Sequence, residues 1–227
     1  MVTKQITDVF YDKFANITRF KAWRKYLRWA YNKTLEDTKS VNVVSISKRV
    51  NPKCLLCGVS GEVTAEEYID FTIKTNPSSY INIIDLGNPQ IQSVQNLVAK
   101  KYPKDRIIVK NANALNLNFI KNHSIDWIDT DGFLAYFDDT MLLRLVIEWK
   151  RILKKDGYIT FRECSGEGII GIVINKTRLS IGNRWMPRIL HEHTTKKIRT
   201  IFENEGFTLI TKPTFIPTVD RFLIYNS

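Results

Sequence analysis

The fold is predicted most clearly by residues 80–163, which begin with YINIIDLG (80–87) and end shortly after LLRLVIEWKRILKKDGYITF (142–161). The first run is continuously apolar and rich in β-branched residues, which is typical of a strand buried on both faces. The second run places its apolar residues at helical spacing, passes a glycine and returns as a short apolar strand. Between the two runs the pattern predicts one more helix and two more strands. Strands that alternate with helices indicate an α/β fold.

The predicted elements continue to the end of the sequence. Asp138 is expected to cap the helix that follows the third predicted strand, and Thr194 or Thr195 is expected to cap a later helix that ends at Gly206. No helix separates the last two predicted strands, so they should form an antiparallel hairpin. The expected fold class is α/β, with a doubly wound, mostly parallel sheet and a C-terminal antiparallel hairpin. Its predicted strands are Tyr80–Leu86, Arg106–Lys110, Ile125–Ile128, Tyr158–Arg162, Phe207–Ile210 and Phe222–Tyr225.

The composition is that of a globular protein. A chain of 227 residues, of which 44% are hydrophobic, can bury the core of one α/β domain with an appendage. The longest apolar run, residues 168–174, is far shorter than the ~18–20 residues of a membrane span. No apolar segment follows the first five residues, so secretion is not expected. Three cysteines are an odd number and favour a reducing compartment, so we expect a cytoplasmic protein.

The positive charge is concentrated towards the N-terminus. The formal net charge is +11, and residues 1–60 hold twelve Lys or Arg against four Asp or Glu. This asymmetry favours an anionic partner at that end, although a soluble basic surface would look the same. We expect residues 1–75 to form a basic helical N-terminal extension and residues 76–227 to form the main domain.

Residues 17–31 predict an amphipathic helix with one aromatic stripe and one basic stripe. The aromatic stripe could pack on the core while the basic stripe faces solvent, which is the commoner arrangement. Alternatively, the two stripes could bind nucleic acid by stacking on bases and contacting phosphates. No recognised RNA-binding or DNA-binding signature accompanies the helix. The cations that would contact nucleic acid are Lys21, Arg24, Lys25 and Arg28.

Three segments, taken in order, resemble those of the class I S-adenosylmethionine-dependent methyltransferases. NALNLNF (113–119) resembles the family's D-A-x-x-L-P-F, and EWKRILKKDG (148–157) resembles its E-x-x-R-V-L-K-P-G-G. Residues 195–207 resemble the helix that precedes the family's terminal hairpin. The resemblance covers roughly residues 80–227. A weaker similarity at VFYDKFA (9–15) is to the tyrosine–aspartate lead-in of the quinone-biosynthesis type.

The resemblance implies a Rossmann-like domain that binds S-adenosylmethionine. In the family, a strand ends in an acid and is followed by G-x-G-x-G beneath the cofactor. DLGNPQI (85–91) is predicted to take that place, with Pro89 and Ile91 where the second and third glycines would be. The residues implied to bind the cofactor are Asp85, Gly87, Asn88, Asn113, Ala114 and Thr130.

Two further features of the family are not found where the predicted strands place them. The family usually has an acid after the second strand, which holds the ribose hydroxyls, whereas the second predicted strand here ends in Lys110 and Asn111. The family also fits two strand–helix units between its first motif and its D-A motif. Only one is predicted here, so the other is expected to be missing or replaced by the N-terminal region.

Ligands of a parallel sheet bind beyond the carboxyl ends of the strands, and several acids are predicted there. Asp131 is the candidate base or amine-orienting group, whereas helix capping is the expected role of Asp138 and Asp139. His193 is a second catalytic candidate because imidazole titrates near neutral pH, although histidines before a helix cap are common at surfaces. The residues expected to bind an anionic substrate are Tyr11, Tyr136, Arg162 and His191.

The sequence CLLCG (54–58) has the spacing of half a zinc site. A complete site needs two more ligands, and only Cys164 and the three histidines remain. Two small thiols that are buried or partly buried are the better interpretation. No metal is therefore predicted.

Two functions follow from these observations. The first is transfer of a methyl group from S-adenosylmethionine to an oxygen or nitrogen atom of a small anionic molecule. The alternative is a catalytically inactive methyltransferase-like protein that binds nucleic acid or a partner protein. Cofactor binding distinguishes the two.

Overall fold

A computed structural model describes residues 21–103, 105–165, 168–185 and 189–226. The described residues form one seven-stranded sheet with the strand order β3-β2-β1-β4-β5-β7-β6. All neighbouring strands are parallel except β7, which is antiparallel to both β5 and β6. The predicted α/β class, mostly parallel sheet and C-terminal hairpin are confirmed. The strands are β1 Lys53–Cys57, β2 Tyr80–Asp85, β3 Ile107–Asn111, β4 Ile125–Asp131, β5 Leu153–Cys164, β6 Phe207–Pro213 and β7 Val219–Asn226.

Helices cover both faces of the sheet. One apolar cluster joins α1, α2 and α3 to the first face, and another joins α4 and α6 to the opposite face. This arrangement explains the continuous apolar runs of the central strands, since both of their faces are buried. The described helices are α1 Lys21–Ser40, α2 Glu62–Thr75, α3 Asn88–Lys101, α4 Asp139–Ile152, α5 Gly168–Trp185 and α6 Thr195–Asn204.

The strand–helix unit expected to be missing or replaced by the N-terminal region is supplied by that region, as β1 and α2. β1 lies in the centre of the sheet, hydrogen-bonded to β2 on one side and to β4 on the other. Four of its five residues are buried. The run that begins at Tyr80 is therefore the second strand rather than the first. The expected boundary between residues 75 and 76 separates α2 from β2. The strand before it, β1, is hydrogen-bonded to the strand after it, β2.

Helix α4 forms as its sequence predicts. The Asp138 carboxylate accepts a hydrogen bond from the Met141 N–H at 2.8 Å and caps the helix. The apolar side of the helix is buried against the sheet. On its polar side, Glu148 accepts a hydrogen bond from the Leu117 N–H, and Arg151 donates to the Leu117 carbonyl at 3.1 Å. The segment resembling E-x-x-R-V-L-K-P-G-G thus ties the loop after β3 to α4.

Helix α1 packs against α2 through both of its stripes. Arg24 pairs with Glu66 at 2.6 Å and with Glu67 at 2.9 Å, and Arg28 pairs with Glu67 at 2.6 Å. Two of the four cations proposed to contact nucleic acid are therefore engaged within the fold. The other two, Lys21 and Lys25, are exposed on the same helix.

No helix in the described part of the chain is both long and apolar enough to cross a bilayer.

Candidate functional site

A cavity of about 540 Å³ opens at the carboxyl ends of β1, β2, β4 and β5. This is the edge at which open parallel sheets bind ligands, and its volume lies within the ~300–1,000 Å³ typical of ligand pockets. Helices α1 and α5 form opposite parts of the wall, through Tyr26 on α1 and Asn175 on α5. The site therefore combines the turns that follow the strands with residues of two covering helices.

The turn after β1 passes directly beneath this cavity. Gly58 has φ +76°, and a Cβ atom built on it would lie 2.5 Å from the Phe133 ring. Its N–H donates to the Ile84 carbonyl at 2.9 Å. Only glycine combines this backbone conformation with such a close approach. Cys57–Gly58 is recognisable as a turn from the sequence, but sequence reasoning did not place this turn at the ligand site, although GVSG (58–61) after the buried run CLLC was a signal for it.

Asp85 joins two of the turns that line the cavity. Its carboxylate accepts the Val59 N–H at 2.7 Å and the Gly87 N–H at 2.7 Å. It stands at the end of β2, so the prediction that DLGNPQI follows the first strand is corrected. Pro89 lies in the first turn of α3, where backbone N–H groups have no helical partner, and Ile91 is buried in the core. Neither of the two is among the described residues that line the cavity.

The residues predicted to bind a cofactor divide into two groups. Asp85, Gly87, Asn113 and Ala114 line the cavity. Thr130 is buried, and its hydroxyl donates to the Cys57 carbonyl at 2.6 Å, so it joins β4 to β1. Asn88 accepts a hydrogen bond from Asn111 at 2.9 Å at the exposed start of α3. Neither Thr130 nor Asn88 is among the described residues that line the cavity.

Asp131 and Arg162 lie at the inner wall of the cavity. Arg162 is 1% exposed and binds Asp129 through both terminal nitrogens, at 2.7 and 3.0 Å. Its contact with Asp131 is longer, at 3.4 Å. Burial raises the pKa of Asp131 to about 6, although Arg162 opposes the shift. Asp131 is therefore ionised at neutral pH but close to the range in which it accepts a proton.

Glu163 is a second buried acid at this wall, and sequence reasoning did not identify it. It is 3% exposed, and its carboxylate accepts the Leu134 N–H at 2.8 Å and the Cys164 N–H at 3.1 Å. Burial raises the pKa of Glu163 to about 7, against the opposing effect of these hydrogen bonds. The carboxylate thereby fixes the loop that carries Phe133 and Tyr136.

Glu163 should make the stability of the protein depend on pH. The pKa of Glu163 is raised on folding, so the protonated carboxyl group stabilises the folded state. This contribution to the unfolding free energy is fully present below pH 4.5 and is lost as the pH rises through about 7. The loss amounts to roughly 3 kcal/mol of unfolding free energy. Urea unfolding at intervals between pH 4.5 and pH 8 should show this decline. The Glu163→Gln variant should show a flatter dependence, and an equal slope in both proteins would contradict this prediction.

Of the two histidines proposed for the site, one lines the cavity and the other does not. His191 lies at the cavity wall, and its backbone N–H donates to the Ala135 carbonyl at 2.7 Å. His193 is 2% exposed, and its Nε2 donates to the Phe137 carbonyl at 2.8 Å. Burial lowers the pKa of His193. His193 is thus placed as a buried structural residue. Tyr136 lines the cavity, and Tyr11 lies outside the described residues.

Cys54 and Cys57 lie on opposite faces of the sheet, each in a different apolar cluster. Side chains three residues apart in a strand point in opposite directions, so these two thiols cannot bind one metal ion. Within the described ranges, no group of three or more His, Cys, Asp or Glu residues has a metal-binding arrangement.

No protein-family model matches the chain, and no curated protein matches it. Solved structures do. An O-methyltransferase family protein from Burkholderia thailandensis has a TM-score of 0.66 at 14% identity, covering 95% of this chain and 62% of that one. The mitomycin 7-O-methyltransferase MmcR has a TM-score of 0.62 at 12% identity, covering 85% and 53%. A SAM-dependent methyltransferase from Methanosarcina mazei has a TM-score of 0.59 at 15% identity, covering 83% and 98%.

This chain has the class I methyltransferase fold. It spans less than two thirds of the length of the first two of these proteins.

When the strands of the class I methyltransferase fold are numbered from β1, one candidate site feature lies at the end of each of the first four strands. A glycine turn, Gly58 to Gly61, follows the first strand. An acid, Asp85, ends the second strand, near the place where the family is expected to have one. Asn113 follows the third strand, and Asp131 ends the fourth. Two features were not found in the sequence, an acid after the second strand and a second strand–helix unit, because the strands were numbered without β1.

Proposed function

We propose that this protein transfers a methyl group from S-adenosylmethionine to an oxygen or nitrogen atom of a small anionic molecule. The observation that carries the proposal is the cavity at the carboxyl ends of the strands. There the Gly58 turn and Asp85 line one part of the wall, and Asp131 lines another. The fold of the structural neighbours supports it. The odd number of cysteines and the free thiols of Cys54, Cys57 and Cys164 favour a cytoplasmic location.

The residues on the β1–β2–β3 side of the cavity fit an adenosyl ligand. Gly58 permits close approach of the backbone, and Asp85 is oriented by two N–H groups. It stands near the place where the family's ribose-binding acid is expected. Asn113 is exposed at the cavity wall. Its amide oxygen accepts the Leu115 N–H at 3.0 Å and has a second lone pair that would accept from the adenine amine. When bound, S-adenosylmethionine supplies a methyl carbon on a positively charged sulfur, and the carbon–sulfur bond breaks with its electron pair remaining on sulfur.

Asp131 is proposed to be the proton acceptor. A base acts best when its pKa lies near the working pH, and a pKa of about 6 satisfies this condition at neutral pH. The Asp131 carboxylate would take the proton that the acceptor's hydroxyl or amino group loses as its new bond to carbon forms. The Arg162 guanidinium is proposed to position Asp131 through their 3.4 Å contact, although the shorter contact of Arg162 is with Asp129.

An anionic acceptor is supported by a cation at the cavity wall. Arg178 of α5 is exposed at the wall and contacts the Cys164 thiol, and His191 lies at the wall as well. Arg162 is already balanced by Asp129 and Asp131. The groups proposed to bind a carboxylate or phosphate of the acceptor are therefore the Arg178 guanidinium and the His191 imidazole.

Calorimetry with S-adenosylmethionine and S-adenosylhomocysteine tests the proposal. We expect both to bind, and the Gly58→Ala variant to bind at least tenfold more weakly, because the added methyl group must displace the Phe133 ring. Gly206→Ala is the matched control, since Gly206 also has positive φ, +81°, but has nothing within 4 Å of its added Cβ. It should cost about 1 kcal/mol of stability and leave affinity unchanged.

Absence of heat and of a thermal shift at millimolar ligand would remove the enzyme proposal. The inactive methyltransferase-like alternative would then be favoured, with nucleic acid or a protein as its partner.

A further inference from the structure

Four residues that line the cavity each have a buried polar side-chain atom with no hydrogen-bond partner among the described residues. The atoms are the Tyr26 hydroxyl, Gln90 Oε1, Asn175 Oδ1 and Arg162 Nε. Tyr26, Asn175 and Arg162 are 2%, 3% and 1% exposed. A buried polar atom without a partner costs about 1–3 kcal/mol, so such atoms are rare. The four residues belong to α1, α3, α5 and β5 and line one cavity, so a ligand bound there is the candidate partner for these atoms.

The position of the Tyr26 ring is fixed by its neighbours. The ring lies 5.2 Å from Trp23 and meets Phe215 edge-to-face at 5.6 Å. Burial raises the pKa of Tyr26, and the nearby charge of Asp131 raises it further. The phenol therefore stays protonated and can donate a hydrogen bond. Tyr26 and Asp131 both line the cavity.

The charges at this wall select the group that can lie there. Asp131 and Glu163 are both acids, while Arg162 is held by Asp129 through two hydrogen bonds. A carboxylate or phosphate placed among them would be repelled and poorly solvated. A hydroxyl or amino group suits the wall, because it donates to a carboxylate and accepts from a phenol.

We propose that Tyr26 and Asn175 are positioning residues for the acceptor, holding its uncharged hydroxyl or amino group beside Asp131. The proposal rests on the proposed function and deepens it, since it states the charge of the reacting group. Any negative charge of the acceptor is then confined to the part of the cavity near Arg178 and His191. The rest of the wall includes Phe133, Phe137 and Leu179, so the acceptor's body is apolar.

The test uses four probes that share one ring: phenol, aniline, benzene and benzoate. Their affinities are measured by ligand-observed NMR titration of the full chain. We expect phenol and aniline to bind more tightly than benzene and benzoate. Tyr26→Phe should reduce the preference for phenol over benzene at least fivefold, which corresponds to the loss of one hydrogen bond. A change of packing alone would weaken phenol and benzene equally.

Tyr68→Phe is the matched control. The Tyr68 hydroxyl is also buried and without a partner among the described residues, but Tyr68 does not line the cavity. This variant should keep the full preference for phenol. The proposal is overturned if Tyr26→Phe keeps that preference, if Tyr68→Phe loses it equally, or if benzoate binds more tightly than phenol.

Calorimetry with S-adenosylmethionine on the same proteins separates this proposal from the proposed function. Intact cofactor binding in Tyr26→Phe, with the phenol preference lost, supports both. Loss of the phenol preference in a protein that binds no cofactor supports the acceptor site and contradicts methyl transfer.

Discussion

Replacing Asp131 with Asn should lower the rate of methyl transfer by roughly 10²–10⁴-fold, the contribution expected of a positioned general base. Asn has nearly the same shape as Asp but cannot take a proton. The affinity for S-adenosylmethionine should change much less than the rate, because Asn keeps the shape of Asp131 and one of its hydrogen-bond-accepting oxygens. Steady-state kinetics and calorimetry on the same preparation measure the two effects separately.

The pH profile gives a second measure of the role of Asp131. In the natural protein, kcat/KM should fall as the pH drops below about 6, because the carboxyl group is then protonated. The Asn variant should lack this dependence. Asp138→Asn is the matched control, since Asp138 caps α4 and Asn caps helices equally well. An Asp131→Asn variant with the natural rate and profile would exclude Asp131 as the base.

Much of the fold could be predicted because its patterns are long. Helix α4 repeats its apolar positions over four turns, and its cap, Asp138, is a residue type that favours that position. The terminal hairpin follows from two apolar runs that no helix separates. In these regions local propensity and tertiary packing favour the same structure, so sequence periodicity was sufficient.

The first strand could not be predicted because five residues carry little periodicity. The segment KCLLC is buried on both faces, so it shows no alternation. Its two cysteines were considered as half a zinc site and interpreted as buried thiols, but not as part of a strand. Once β1 was missed, every later strand was numbered one too low. Asp85 was consequently assigned to the wrong motif, although it was correctly placed at the cavity.

The candidate site was only partly predictable for a related reason. Residues at strand ends, such as Asp131, follow from the rule that ligands bind at the carboxyl edge of a parallel sheet. Tyr26 and Asn175 lie on helices, and their approach to that edge depends on how α1 and α5 pack. Glu163 and Arg162 are consecutive in β5. Local spacing does not encode their burial, the pairing of Arg162 with Asp129, or the hydrogen bonds of Glu163 to backbone N–H groups.

Replacing Arg162 with Leu should destabilise the protein by about 3–5 kcal/mol, the usual cost of removing one partner of a buried ion pair. Asp129, which is fully buried, would lose both of its hydrogen bonds from the guanidinium. Asp131 would lose its one cationic neighbour at the cavity wall. Two carboxylates would then lie close together in an apolar environment, where Thr160 still donates to Asp129 at 2.6 Å.

The stability lost in Arg162→Leu should depend on pH and on whether Asp129 is still present. Without Arg162 the two acids are stabilised by protonation, so urea unfolding should show a larger deficit at pH 8 than at pH 5. The double variant Asp129→Leu/Arg162→Leu should recover part of the stability, because the buried charge has been removed along with its partner. Arg199→Leu is the control: Arg199 pairs with Glu203 at 3.2 Å on the exposed surface of α6, and its loss should cost at most about 1 kcal/mol. Equal losses for Arg162→Leu and Arg199→Leu would mean that the Asp129–Arg162–Asp131 group does not hold the inner wall of the cavity in place.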